Sequence, residues 1–467
     1  MKVTQVSICP SKGATEAGRP AVPPELLASI GAKYSRSNDG LDAIMAKVDL
    51  DNPDASIERI FKHTDYGHQS IADMVPVAMF MDGISMYLAY FVWYTCQATN
   101  GQESSTRYLP MVPLGLTPES EEWNSTVMDS IMDSYYFENE SFGEDIFTHA
   151  SESFACYNLA RKFWFEYAES RGGIANLINL TGEQAADKKV VDRLTRNYAF
   201  DRARVYLPVT ALTNMMLVMS SREWARLASH LLSHQLLEFN DLGNLIVDEL
   251  RLVSPNFVRH AVAKQSHAEY FASMIEQASW AAVPADGEVG IDILSDFTEG
   301  NEFATRNNRY CSPLVGALDS TVRMRFNSIS MAEMRDVNRH RQGMRSCIMD
   351  AHGFYCPISE DPEASEFLRN NMDEYSELCM FDYGVEQTQN LLESFDAHYM
   401  YFTNFGTTHQ YRRVCSLAQF VYEVELRTGP GAHYKYAQLY RDMYAKAAEQ
   451  LDPETLAGVV VGGAEPE

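Results

Sequence analysis

Apolar positions recur at helical spacing along much of the chain, interrupted by short apolar runs that read as strands. After an irregular lead-in holding Gly13, Gly18, Pro20 and Pro23, helices are expected over 24–32 and 39–45. Ile57, Ile60 and Phe61 fall three and four apart and predict a helix over 56–63. Gly67 breaks that pattern, and Ser70 is a candidate N-cap with Asp73 as its capping-box partner. Residues 75–85 are mostly apolar and predict a strand, with Asp82-Gly83 marking a bend. The aromatic run 86–95 suits a buried helix or a strand, and helix is favoured. An acidic amphipathic helix is expected within 119–155, and further helices over 158–170 and 188–198. The longest is expected over 222–252, with Leu227, Leu231, Leu236 and Leu237 on its apolar face.

The texture changes after Pro255, where Pro284, Gly287 and Gly290 lie among acids. This places a first domain at 1–255, a linker at 256–300 with some helix near Val258 to Gln277, and a second domain at 301–467. The two domains echo each other. Gly83-Ile84-Ser85-Met86 returns as Ser328-Ile329-Ser330-Met331 (330 − 85 = 245). Arg202-Ala203-Arg204-Val205 is echoed by Tyr411-Arg412-Arg413-Val414. The landmarks keep their order, which favours a diverged tandem repeat. The expected fold is α+β: two similar lobes, each a small mixed sheet flanked by long helices.

Charge narrows the partners. A formal net charge of −26 argues against a nucleic-acid groove but leaves room for a mononucleotide held by two or three arginines. No apolar run is long enough to span a membrane. The N-terminus lacks an apolar signal core, so a cytoplasmic protein is expected. The 8 cysteines form no CxxC pair, which suggests buried free thiols and no metal site.

Two polar clusters carry candidate chemistry. Glu103, Ser104, Ser105 and Arg107 crowd one segment after the aromatic run. Serine hydroxyls, backbone N–H groups and an arginine can cradle a phosphate through charge-assisted bonds. A solvated loop with a surface ion pair is the simpler alternative. Arg339-His340-Arg341 lies downstream. It would suit an electron-rich ring and its carbonyls, or a basic surface patch.

These landmarks resemble the flavin-dependent thymidylate synthases. The tail of that family's signature is similar to Glu103-Ser104-Ser105-Thr106-Arg107-Tyr108, while Thr95-Cys96-Gln97, or a frame one residue earlier, stands where its R-H-R head belongs. In the second half Arg339-His340-Arg341 restores the head, and Arg345-Ser346-Cys347-Ile348-Met349-Asp350 is a degenerate tail. The segment from Gly67 to Asp73 resembles the family's histidine motif, and Ala203-Arg204-Val205-Tyr206-Leu207-Pro208 its A-R-x-V-L-P element. Ser220-Ser221-Arg222-Glu223 and Glu425-Leu426-Arg427-Thr428 resemble its N-A-R-S element.

The resemblance implies substrate binding by Glu103, Ser104, Ser105, Arg107 and Arg204. It implies flavin binding by His68, Ser70, Asp73, Arg222, Arg339, His340, Arg341 and Arg427. It implies FAD as cofactor, with NADPH and methylenetetrahydrofolate as co-substrates, and one-carbon transfer to C5 of dUMP. No catalytic side chain is assigned. A two-repeat chain would let a homodimer mimic the family's tetramer. One departure matters: the base-reading arginine, nine residues after the N-A-R-S arginine, is replaced by Leu231 and Tyr436. Another pyrimidine nucleotide, or a non-catalytic nucleotide-binding paralogue, is therefore the alternative. No Rossmann, P-loop, GxSxG or HExxH pattern is present.

Overall fold

The computed structural model describes residues 1–35, 37–38, 40–61, 69–96, 100–136, 143–178, 180, 182–282, 287–380 and 384–464. The chain forms two compact units. Unit 1 comprises Met1–Ser104, Ile131–Ser141 and Leu212–Ala272; unit 2 comprises Ser105–Ser130, Phe142–Ala211 and Ser273–Glu467. These units cut across the sequence halves. The helices Gly143–Ser170 and Lys188–Ala203 lie in the first half of the chain yet belong to unit 2. The aromatic stripe of the first of them explains this, because Phe163 stacks edge-on with Phe367 and Tyr375 of the second half.

Unit 1 is built on a sheet of β1 (Lys2–Val6), β2 (Pro76–Ser85), β3 (Asn100–Glu103) and β4 (Leu212–Ser220), in the order β1-β2-β4-β3. Unit 2 is built on β5 (Val289–Ser295), β6 (Thr321–Ser330), β7 (Met344–Phe354) and β8 (Thr407–Ser416), in the order β5-β6-β8-β7. Every pairing is antiparallel rather than mixed.

The register repeats. Pro76 faces Ser220 and Thr321 faces Ser416, steps of 321 − 76 = 245 and 416 − 220 = 196. Both central strands bulge at one place, between Met81 and Ile84 and between Phe326 and Ile329. Both end in a serine, Ser85 or Ser330, whose hydroxyl caps the next helix. Such a cap satisfies a backbone donor that helix geometry leaves open.

The register also realigns one expectation. Asn100 faces Val218 and Met344 faces Val414, so β3 maps onto β7 by 344 − 100 = 244. Glu103 then answers to Cys347, not Arg345, and Arg107 answers by count to Ala351. The same step carries Thr95-Cys96-Gln97 onto Arg339-His340-Arg341.

Several sequence expectations change in detail. The aromatic run is the helix Met86–Thr95, buried on nearly every side. The expected helix over 222–252 breaks into Ser221–Leu232 and Leu237–Val253. Asn240 donates to the carbonyls of Leu231 and His234 and holds the turn between them. The stretch 256–300 contains the helix Gln265–Ser279, where some helix was expected near Val258 to Gln277, and also the edge strand β5, which was not expected. The 8 cysteines are free, and Cys9 and Cys379 are exposed rather than buried. No helix among the described residues is long and apolar enough to cross a membrane.

Candidate functional site

The turn Ser105–Arg107 and the triplet Arg339–Arg341 both meet the helix Met331–Val337, all within unit 2. Glu103 and Ser104 finish β3 in unit 1: Glu103 accepts from the Trp93 indole at 3.0 Å, and the Ser104 amide donates to Asn214 at 2.9 Å. From Ser105 the chain belongs to unit 2. The Ser105 hydroxyl accepts from the Arg107 amide at 3.3 Å, and its carbonyl accepts from the Leu109 amide at 3.1 Å. The segment is a tight turn.

That turn aims Arg107 at Asp201, near the end of the helix Lys188–Ala203. Nε donates to Oδ1 at 2.6 Å and Nη2 to Oδ2 at 2.8 Å, the bidentate geometry a planar guanidinium favours. Burial works against the Arg107 cation, but the bonds and charge of Asp201 outweigh it and raise its pKa. One turn on, Arg204 is 2% exposed. Its Nη2 lies 3.4 Å from the Ala332 carbonyl, from Glu333 and from Asp336. Its Nε is buried without a hydrogen-bond partner among the described residues.

The helix Met331–Val337 is therefore a hub of buried charge. Arg335 donates to the Thr106 hydroxyl at 3.4 Å. Glu333 and Asp336 compete for one guanidinium, and their environments separate them. Burial raises Asp336, but Arg204, Arg339, Arg427 and Arg335 surround it and hold its carboxyl below the ordinary range. Glu333 has less compensation, so burial pushes its pKa up to about 7. The environment therefore favours the charged form of Asp336 over that of Glu333, which accepts from the hydroxyl of Ser330, its capping partner. His433 closes the far side, 3.5 Å from Glu333, with Nε2 3.2 Å from the Asp201 carbonyl. Burial depresses its pKa well below the usual imidazole value.

Arg339, His340 and Arg341 follow the C-cap Asn338. Arg339 is exposed and Arg341 half-buried. His340 points inward: its Nε2 accepts from Arg427 Nε at 2.7 Å, which makes its neutral form an acceptor at that nitrogen. Burial, then Arg427, Arg413 and Arg341, keep it neutral by lowering its pKa. Arg427 also donates to the Asp336 carbonyl at 3.0 Å and lies over the Tyr436 ring. Arg413 bonds the carbonyls of His340 and Gln342 and pairs with Glu423 at 2.8 Å. Gly343 follows at φ +92, and a Cβ there would meet the Val414 carbonyl at 2.4 Å, so only glycine fits the exit.

The remaining expected residues lie in unit 1. Arg222 pairs with Asp73 at 2.8 Å, both side chains more than two-fifths exposed. Asp73 also accepts from the Ser220 hydroxyl at 3.4 Å. Ser70 is exposed and lies inside the short helix Gln69–Ala72 rather than before it. His68 is outside the described residues.

Sequence reasoning missed Asp201, Glu333, Arg335, Asp336, Arg413, Glu423 and His433 as site-building groups. One signal was available: Ser330-Met331-Ala332-Glu333 has capping-box spacing. Nothing local marks Asp201 or His433, whose roles depend on residues far away in sequence.

Among curated proteins, none matches the chain. A family model described as thymidylate synthase complementing protein matches residues 23–256, half of the chain. The matched span carries the Glu103–Arg107 segment, Arg204 and Arg222. On that match the chain belongs to the thymidylate synthase complementing protein family, the flavin-dependent thymidylate synthases.

Proposed function

We propose that the chain moves a one-carbon unit from methylenetetrahydrofolate to C5 of dUMP, in a site assembled on the helix Met331–Val337. One observation carries this reading. The turn Ser105–Arg107 and the triplet Arg339–Arg341 meet that helix from two parts of the sequence. By count along the sequence, Thr95-Cys96-Gln97 stands in the first half where the triplet stands in the second, and Met349 and Ala351 stand in the second half where Ser105 and Arg107 stand in the first. We read this as a tandem duplication, with repeats at 1–255 and 301–467 joined by 256–300, whose copies have divided the work.

In this reading Ser105, Arg107 and Arg204 set the phosphate subsite, and Glu103 and Ser104 lead into it. Asp201 holds Arg107 in place as one donor turns to the nucleotide. Arg339 is exposed and Arg341 half-buried, so both can meet an anionic or electron-rich group. His340 and Arg427 are locked together and shape the wall behind them. These residues fit FAD, which would supply hydride chemistry and be recharged by NADPH. Ser70, Asp73, Arg222 and His68 are proposed flavin-binding residues on the family resemblance alone. The protein would act in the cytoplasm as a homodimer.

A second reading is a nucleotide-binding protein without catalysis, or an enzyme for another pyrimidine nucleotide. It draws support from the buried Leu231 and Tyr436 at the base-reading positions, and from arginines already matched by Asp201 and Asp336. The test is direct. Purified chain is loaded with FAD, reduced with NADPH, and given dUMP with a deuterated one-carbon donor. Labelled dTMP supports the enzyme. FAD loading without labelled product supports modification of another nucleotide. Failure to hold FAD while dUMP still binds supports the non-catalytic reading.

A further inference from the structure

Unit 2 contains a cavity that the proposed reaction does not use. It encloses about 420 Å³, within the range of small-molecule sites, and is walled mainly by apolar side chains. Leu114 and Leu116 come from one loop, Leu159 and Phe165 from the helix Gly143–Ser170, and Phe200 from the helix Lys188–Ala203. Asn158 donates to the carbonyls of Pro113 and Leu116 and pins the loop across the opening.

One residue in this wall is unlike the rest. Arg161 lines the cavity and is 3% exposed. No carboxylate among the described residues pairs with it. Its Nη1 donates to the Val112 carbonyl at 3.1 Å and to Asn158 Oδ1 at 2.8 Å. Its guanidinium lies over the rings of Phe200 and Tyr157, 4.8 and 5.1 Å from their centroids. Nε and Nη2 make no hydrogen bond among the described residues. A largely buried cation with open donors calls for water or a counter-charge to complete it. Burial lowers the Arg161 pKa, as expected of a cation lacking an acid. The other charged side chains in the wall are three acids, Glu119, Glu166 and Glu377, and two bases, Lys162 and Arg196, and none of the acids lies within ion-pair distance of Arg161; Glu377 is exposed. Lys162 lies 3.9 Å from Glu166, Arg196 is exposed, and Glu119 bonds Thr117. Leu114 is 65% exposed and Phe165 is 39% exposed at the same opening, apolar surface that an apolar ligand would cover.

We propose that this cavity is a binding site for a small amphipathic carboxylate: the carboxylate bonds Arg161, and an apolar tail or ring fills the space between Leu159, Phe165 and Phe200. The site is independent of the proposed nucleotide chemistry.

Calorimetric titration of the full chain with decanoate and with decanol tests it. Wild type should bind decanoate roughly tenfold or more tightly than decanol, the worth of a charge-assisted bond. Arg161→Met should abolish that preference. Ala155→Trp, which fills the cavity and leaves Arg161 in place, should block both ligands and so tests the site should the arginine variant not fold. Failure of wild type to bind decanoate, equal affinity for acid and alcohol, a preference that survives Arg161→Met, or unchanged binding in Ala155→Trp would each overturn the proposal.

Discussion

Arg413 and Glu423 form a pair 2.8 Å apart, with side chains 1% and 0% exposed. Replacing Arg413 with Met leaves the Glu423 carboxylate buried, with Tyr440 and Gln419 as its remaining donors. Removing one partner of such a pair costs about 3–5 kcal/mol. Replacing both with apolar side chains of similar volume is often neutral. Arg413→Met should therefore lower unfolding free energy by about 3–5 kcal/mol, and Arg413→Met with Glu423→Leu should restore most of it. Flavin binding should behave differently. Arg413 also bonds the carbonyls of His340 and Gln342, which fix the backbone of the triplet. Those carbonyls lose their donor in both variants, so FAD affinity should stay weak even where stability returns. Urea unfolding followed by circular dichroism gives the first quantity, and flavin fluorescence titration gives the second. A cost below about 1 kcal/mol for the single variant, the range of solvated pairs, would refute the account of the clamp. Parallel recovery of stability and flavin affinity would refute the separation of roles.

Glu333 should impose a pH dependence on stability. Its folded pKa of about 7 exceeds the ordinary 4.5, so the folded state keeps a proton that the unfolded chain releases. Its contribution is greatest below 4.5 and is lost as pH rises to about 7, on the order of 3 kcal/mol in all at 1.36 kcal/mol per unit. Glu333→Gln should remove that slope, and an unchanged difference between variant and wild type across this window would contradict it. Arg107→Ala should weaken nucleotide binding while FAD stays bound, and Arg341→Ala should do the reverse; equal effects on both ligands by titration would end the division of labour between repeats. Arg222→Ala should cost no more than about 1 kcal/mol of stability, because its pair with Asp73 is solvated on both sides. A larger loss in thermal unfolding would show that this pair has a structural role.

Periodicity predicted several elements of the first half: the strand ending at Ser85 and the helix Met86–Thr95 follow from an apolar run, a bend and an aromatic run, all local features. It predicted none of the second-half elements that carry the site, the helix Met331–Val337 among them. The order of landmarks indicated a repeat, and the motif residues indicated the family. What local pattern could not provide is pairing between residues far apart in the chain. The break between Leu232 and Leu237 depends on Asn240 reaching back to two carbonyls, and apolar spacing continues straight through it. The turn carrying Arg107 looked like half of a phosphate cradle, but Asp201 lies 94 residues away and only the fold brings it to 2.6 Å. The exposed pair Arg222–Asp73 and the buried pair Arg427–His340 come from residues that the sequence treated alike. Charge type is written in the sequence, whereas the water left around a charge and the partner opposite it are set by packing. Those two quantities decide which arginines can still meet a ligand.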